Sequence, residues 1–437
     1  MDKDVLHQGV FFALQEAEHV ANPYPLYHRL RSEAPFHWDF VLYGWFLTRY
    51  ADVRAALTDP RLTTKNFPFD VSQLPPDLQD GLAPFGGIMN REVLYNDAPE
   101  HERLRRPLNR AFNPAAFEQL RPEMEGLAHE LLVKAERRRS MDVVSDYSQP
   151  LADHMFGEML GLPRATRREF IEWCDQLRKF TTARRMGHKT IIRAKAAVKV
   201  LEAIRAYVRR MIDVRRESWP EDVVGHALNV EASEARPSEE EILANCVFFF
   251  HAGAQNMSAS ITNAVVALLR HPKEFSRLRE DPRSINVAVE ELLRYETPVQ
   301  VAIRGASEEI EFAGRCIGPK QLIVLLLGAA NRDPEQFADP DRLDLARRPN
   351  YNVSFGAGPH GCVGAWMARF GLAIAIGAIL HRQTKLRLTH QKLQWNPATM
   401  RRTVRALPVS IHRPFYNSQR SQLGMARMPS PMLTRVA

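Results

Sequence analysis

Apolar positions recurring at three- and four-residue spacing dominate this chain. They predict helices over Pro25–Glu33, Ala51–Leu57, Glu100–Ala111, Pro114–Arg138, Ala165–Phe180 and Lys189–Glu217. Shorter β-like runs lie at Phe36–Thr48, Glu309–Ile317 and Gln321–Gly328. Thr63–Phe85 and the Pro/Asp/Arg-rich Asn331–Asn352 read as loops, and the polar Glu217–Pro237 reads as a surface connection. No internal repeat interrupts this mainly helical pattern.

The clearest single element begins at Ser238. Ser238 and Glu241 form an S-x-x-E capping box directly after Pro237, and His271-Pro272 stops the helix after Arg270. That is about 33 residues, or ~50 Å at 1.5 Å per residue, enough to cross a domain. Its centre, Cys246–Ala254, is apolar nearly all round and is expected to be buried. Ala252-Gly253 at the middle of such a helix needs a reason, because glycine costs roughly 1 kcal/mol against alanine there. Something is expected to approach the backbone at that point.

Composition narrows the class. The 437 residues are 45% hydrophobic and 25% charged, which fits a large globular chain with one functional core. Met1-Asp2-Lys3-Asp4 lacks the layout of a signal peptide, and the most apolar run, Leu322–Leu327, is far shorter than the ~20 residues of a membrane span. A cytoplasmic protein without a membrane partner is the expectation. The cysteines Cys174, Cys246, Cys316 and Cys362 share no CxxC spacing, so neither a zinc ribbon nor a disulfide framework is expected. The net charge of +8 raises nucleic acid as a partner, but acids intersperse the basic residues and no aromatic–basic module accompanies them. Nucleic acid is therefore not expected as a partner, and a basic face for an acidic protein is equally compatible. Residues 1–412 read as the functional domain. Arg413–Ala437, with four arginines and no acid, reads as a basic, disordered tail.

The strongest chemical signal is Phe355-Gly-Ala-Gly-Pro-His-Gly-Cys-Val-Gly364. Four glycines around one cysteine let backbone approach a flat cofactor, and free N–H groups nearby can hydrogen-bond the sulfur. The apolar stretch from Cys362 to Ile379 reads as a helix starting at the cysteine, which favours a thiolate. A plain glycine-rich turn is one alternative. A phosphate loop is another, but it would end in a Lys-Ser/Thr pair that is absent.

The pattern F-G-x-G-x-H-x-C-x-G resembles the haem-binding loop of the cytochrome P450 family. Other family motifs follow the right order. Glu291-Leu-Leu-Arg294 resembles the family's E-x-x-R and lies 71 residues before Cys362. The resemblance implies that this pair locks the loop 331–352, with Arg342 of Pro340-Asp341-Arg342 as third partner. Leu343 stands where the family usually has Phe. Asp97-Ala-Pro-Glu-His101-Glu-Arg-Leu-Arg105 resembles the helix that contacts a haem propionate, with His101 and Arg105 four apart on one face. Arg304 and His360 resemble the remaining propionate contacts. Arg103, Arg106 and Arg110 read as solvated charges, with a redox-partner face as the alternative.

The resemblance runs from Asn22-Pro-Tyr-Pro-Leu-Tyr27 to Leu407-Pro-Val-Ser-Ile411. It implies the triangular, mostly helical P450 fold with a small β-rich part. It also implies haem b (iron protoporphyrin IX) on the Cys362 thiolate, with Phe355 and Gly364 in the cradle. The activity implied is that of a soluble bacterial monooxygenase, a monomer supplied with electrons by a ferredoxin and its reductase.

One departure concerns the distal helix. Where the family has Ala/Gly-Gly-x-Asp/Glu-Thr, this chain has Ala252-Gly253-Ala254-Gln255-Asn256. Two amides can orient water, but unlike an acid they do not titrate near neutral pH. Three readings stay open. Ordered water or a substrate hydroxyl carries the protons of a monooxygenase; or the chemistry is phenol coupling, dehydrogenation or peroxide use; or the chain only binds haem. Phe248, His251, Ala252 and Gln255 follow i, i+3, i+4, i+7 spacing and share a face. His251 is either a satisfied core histidine or a substrate contact. By resemblance, Val299 and Gln300 line the same pocket. Together with His251, Gln300 points to a small lipophilic substrate bearing oxygen near the reacting carbon.

Overall fold

The computed structural model describes residues 9–65, 79, 87–88, 90–181, 188–215, 222–229, 236–382, 385–397 and 400–412. The basic tail Arg413–Ala437, most of the Thr63–Phe85 loop and much of Glu217–Pro237 lie outside these. The described part of that last connection holds a short helix, Val223–Leu228, whose N-terminus is capped by the Asp222 carboxylate.

Strands form a minor layer. β1 (Phe36–Asp39), β2 (Gly44–Leu47), β3 (Leu62–Thr63), β5 (Val301–Ala306) and β8 (Leu322–Leu326) build a five-stranded sheet, with β4 (Ser140–Asp142) left for a second one. The order is β1-β2-β8-β5-β3, with β2 and β8 parallel and the other pairs antiparallel. The predicted run Glu309–Ile317 is a hairpin of β6 (Ile310–Phe312) and β7 (Arg315–Ile317) around Ala313-Gly314, both at positive φ. β4 pairs with β10 (Pro408–His412), which pairs with β9 (Lys385–Leu388), bringing the end of the described chain back to its middle.

Helices make up the bulk. The longer ones are α1 (Tyr24–Glu33), α2 (Tyr50–Thr58), α3 (Glu100–Ala111), α4 (Pro114–Arg138), α5 (Gln149–Met159), α6 (Arg167–Thr181) and α7 (His188–Arg215). After these come α8 (239–270), α9 (Pro272–Glu280), α10 (Ile285–Tyr295) and α11 (Ala365–His381). No helix among the described residues is long and apolar enough to cross a membrane.

α11 is the hub. It is apolar all round, almost wholly buried, and packed against α4, α8 and α10. Its predicted start at Cys362 is corrected: Cys362 lies in the preceding turn and Gly364 is the N-cap. The capping box at Ser238 is present in full. The predicted single helix 238–270 runs through, but not uniformly. Glu239–Phe248 is α-helical, Phe249–Ala254 forms a π turn, and Gln255–Arg270 resumes the α-helix. A π turn inserts an extra residue and breaks the regular i→i−4 ladder where Ala252-Gly253 sits.

Candidate active site

The cysteine loop is held by its own backbone. Gly356 and Gly358 adopt left-handed φ values of 69° and 68°, and a Cβ on Gly358 would come within 3.1 Å of the Leu57 carbonyl at the end of α2. Gly356 N donates to Val353 O, Gly361 N to Gly358 O, and Cys362 N to Phe355 O at 2.8 Å. The Arg369 guanidinium covers the Phe355 ring at 4.5 Å. Cys362 therefore sits on a rigid turn. Its side chain is deeply surrounded by protein yet keeps accessible surface, as a group facing an internal cleft does. Burial raises the thiol pKa; a hydrogen bond from Gly364 N–H and the charges of Arg105 and Arg369 pull it back down.

Basic side chains gather beside the loop. Arg105 donates to Gly361 O at 2.6 Å, and the His101 and His360 rings lie 4.2 Å apart. Arg304 on β5 is 5% exposed, and its Nη1 donates to Ile303 O. Asp97, bonded by Thr63 and Thr64, is the nearby carboxylate, 3.6 Å from His360 Nε2. Burial pushes the pKa of His360 down to about 4, and the charges of His101, Arg304 and Arg105 push the same way. Burial likewise lowers His101 and Arg304.

Along α8, Phe248, His251, Ala252, Gly253, Gln255 and Asn256 keep partial exposure in the middle of an otherwise buried helix. Partial exposure within a buried helix is what residues facing an internal groove show. What approaches Gly253 is the Phe156 ring of α5, since a Cβ there would lie 1.9 Å from Phe156 Cε1. Gln255 Oε1 accepts from Arg401 Nη1 at 2.6 Å. Asn256 Oδ1 is buried with no hydrogen-bond partner, a state worth about 1–3 kcal/mol to relieve.

The E-x-x-R pair lies behind the loop. Glu291 and Arg294 are fully buried and doubly bonded, Nε to Oε2 at 2.7 Å and Nη2 to Oε1 at 2.9 Å. Arg294 Nη1 also donates to the Asn331 and Pro340 carbonyls. The expected third partner, Arg342, is corrected. Arg342 meets the pair through its backbone alone, its carbonyl accepting from Arg294 Nη2 at 3.4 Å; its exposed guanidinium pairs with Asp344, while Arg347 reaches both Glu291 oxygens at 3.1 Å. Arg347→Ala is expected to lower the thermal midpoint of the protein by several degrees and Arg342→Ala by little. Melts of the two variants side by side check this, and equal melting would remove the distinction.

Gln300 needs a second correction. It is 3% exposed, its Oε1 accepts from Tyr27 Oη at 2.9 Å, and its Nε2 donates to Thr297 O. Its amide is spent on the packing of α1, so it is a structural group. Val299 remains partly exposed and bridges to Arg401. No local pattern marks Arg347, Arg401 or Phe156, each of which meets its partner through the path of the chain.

A sequence profile described as cytochrome P450 matches residues 84–396. The chain belongs to the cytochrome P450 family. It is similar to the biotin biosynthesis cytochrome P450 of Bacillus subtilis, 34% identical over 90% of this chain and 98% of the relative. It is also similar to the polyketide biosynthesis cytochrome P450 PksS of the same species, 30% identical over 89% and 96%. Among solved structures it resembles P450BioI in complex with hexadec-9Z-enoic acid ligated acyl carrier protein, with TM-score 0.81, 32% identity, and 91% and 99% covered.

Cytochromes P450 are monooxygenase oxidoreductases that bind iron protoporphyrin IX, take electrons from redox partners and act on small molecules. The residues here fit that haem. The Cys362 side chain is accessible at the end of the glycine-rich loop. Beside it, His101, Arg304 and His360 lie around the single Asp97 carboxylate, with Arg105 bonded to Gly361 O, an excess of basic groups that two propionates would neutralise.

Proposed function

We propose that this P450 oxidises a small lipophilic, oxygen-bearing natural-product intermediate. We further propose that its groove leaves proton delivery to ordered water or to the substrate itself. The observation that carries this reading is Asn256 Oδ1, a buried acceptor without a partner beside the neutral Gln255. A bound water or a substrate hydroxyl would satisfy it, and neither amide can supply a proton near neutral pH. The haem, when bound, supplies the oxidising power, using dioxygen and two electrons. Cys362 would ligate its iron, His101, Arg105, Arg304 and His360 would grip its carboxylates, and Phe355 and Gly364 would pack the loop against it. Phe248, Ala252 and Val299 would present an apolar wall that excludes bulk water, with His251 as a polar contact. Ferredoxin and its reductase are the proposed electron donors, and the protein is proposed to act as a monomer.

The names of the relatives support a biosynthetic role. P450BioI is solved with a fatty acyl group on a carrier protein, which makes carrier-bound acyl chains one candidate substrate class. The test is a spectral titration of the ferric protein with terpenoid, fatty-acid, phenolic and aromatic-acid compounds. A shift to high spin is expected with one oxygen-bearing class, and His251→Leu is expected to weaken that binding about tenfold, or ~1.4 kcal/mol. Equal affinity for the matching hydrocarbons would contradict the reading. High-spin binding without oxygenated product under any electron donor would favour coupling or dehydrogenation instead.

A further inference from the structure

Two adjacent arginines near the end of the described chain serve different ends. Arg402 is buried: its Nε donates to Glu296 Oε2 at 2.7 Å, and its guanidinium lies 3.6 Å over the Trp395 ring. Its N–H donates to Pro298 O, and its carbonyl accepts from Asn263 Nδ2 on α8 at 2.9 Å. On the other side, Gln300 N donates to Met400 O, and Val299 forms an antiparallel bridge with Arg401. The backbone flanking Arg401 is thus fixed to the 298–300 segment and to the distal helix. From that fixed backbone Arg401 Nη1 reaches Gln255 Oε1 at 2.6 Å.

The hydrogen bond has a directional consequence. A guanidinium is a charged donor, so this bond is stronger than one between neutral groups. It commits the amide oxygen and settles which way the amide faces. Only Nε2 is left, and it has no partner among the described residues. Gln255 stays half-exposed on the groove face, one residue from the orphaned Asn256 oxygen.

We infer that Arg401 is a positioning residue that fixes the Gln255 amide as a hydrogen-bond donor directed into the distal groove. This rests on reading the groove as the distal face of the haem. A neutral donor held in place replaces a group that could change its protonation. The pairing also constrains substitution. A glutamate at 255 would pair with the guanidinium and stay ionised, because an adjacent cation lowers a carboxyl pKa. Gln255→Glu alone would therefore install a fixed negative charge and no titrating relay.

The test uses the ferrous carbonyl adduct of the full-length holoprotein, with the infrared C–O stretch as readout. The stretch responds to donors and charges near the bound CO and does not depend on turnover. Wild type is expected to give one narrow band. Arg401→Met should broaden or split it as the amide samples other orientations, and Arg401→Lys should restore part of the sharpness. In a Gln255→Ala background, Arg401→Met should change nothing further, since the effect runs through the amide. Gln255→Glu should move the band to higher frequency, and this variant serves if Arg401→Met fails to fold. An unchanged band in Arg401→Met, an equal change in the Gln255→Ala background, or no shift in Gln255→Glu would overturn the inference. Failure of the underlying haem reading would look different: wild type would form no thiolate-type carbonyl adduct at all.

Discussion

Cys362→Ser is expected to abolish turnover, by at least about 10³-fold, or ~4 kcal/mol of barrier, while the protein stays folded. The loop does not depend on the sulfur for its shape. Cys362 N bonds Phe355 O, Arg105 bonds Gly361 O, and the left-handed Gly356 and Gly358 set the turn by backbone alone. A serine fits the same turn. What it lacks is the sulfur's readiness to give up its proton. Burial disfavours the thiolate, yet Gly364 N–H, Arg105 and Arg369 already oppose that cost, and a haem iron, when bound, would favour the thiolate further. An alcohol in the same place starts from a far higher pKa and stays protonated. Turnover and far-ultraviolet circular dichroism of the variant check both halves. Substantial activity in the serine variant would remove Cys362 from the chemistry.

Arg294→Ala is expected to be the most damaging change outside the groove, at about 3–5 kcal/mol. Glu291 and Arg294 expose no side-chain surface, and removing one leaves the other as an unpaired buried charge. The loss is wider than one pair. Arg294 also ties down the Asn331 and Pro340 carbonyls, while Glu291 receives Arg347, Asn350 Nδ2 and the Asp344 N–H. Without this node the 331–352 segment, which contains no strand, loses its central buried anchor and keeps peripheral ties such as Tyr50 N to Asp333 and Leu345 N to Glu274. Loss of soluble holoprotein, or a midpoint in denaturant far below wild type, is the expected result. A variant that purified with normal haem content and stability would show that the network is dispensable.

The features that were legible in the sequence are those written in contiguous residues. The capping box and the Glu–Arg pair each lie within a few positions and form as their spacing predicts, while the helix after the cysteine loop begins at Ala365 rather than at Cys362. Other contacts are decided by the path of the chain. Arg342 and Arg347 sit on one irregular segment, and only its three-dimensional course turns Arg347 toward Glu291 and Arg342 toward solvent. Gln300 precedes β5, and the alternation of an extended chain sends it toward Tyr27 while Val299 faces Arg401. The glycine in the distal helix signalled a close approach correctly, but nothing local identified Phe156 as the group that approaches. Arg401 lies 146 residues from Gln255 and carries no motif. The π turn arises where helix, aromatic packing and groove meet, which no periodicity records.

The most direct test of the account is the ferrous carbonyl difference spectrum of the purified wild-type protein. Thiolate ligation gives the carbonyl adduct a strongly red-shifted Soret band, and that band is the expected result, with Cys362→Ser losing it. A wild-type spectrum with the unshifted band of a neutral or imidazole ligand would contradict the account at its centre.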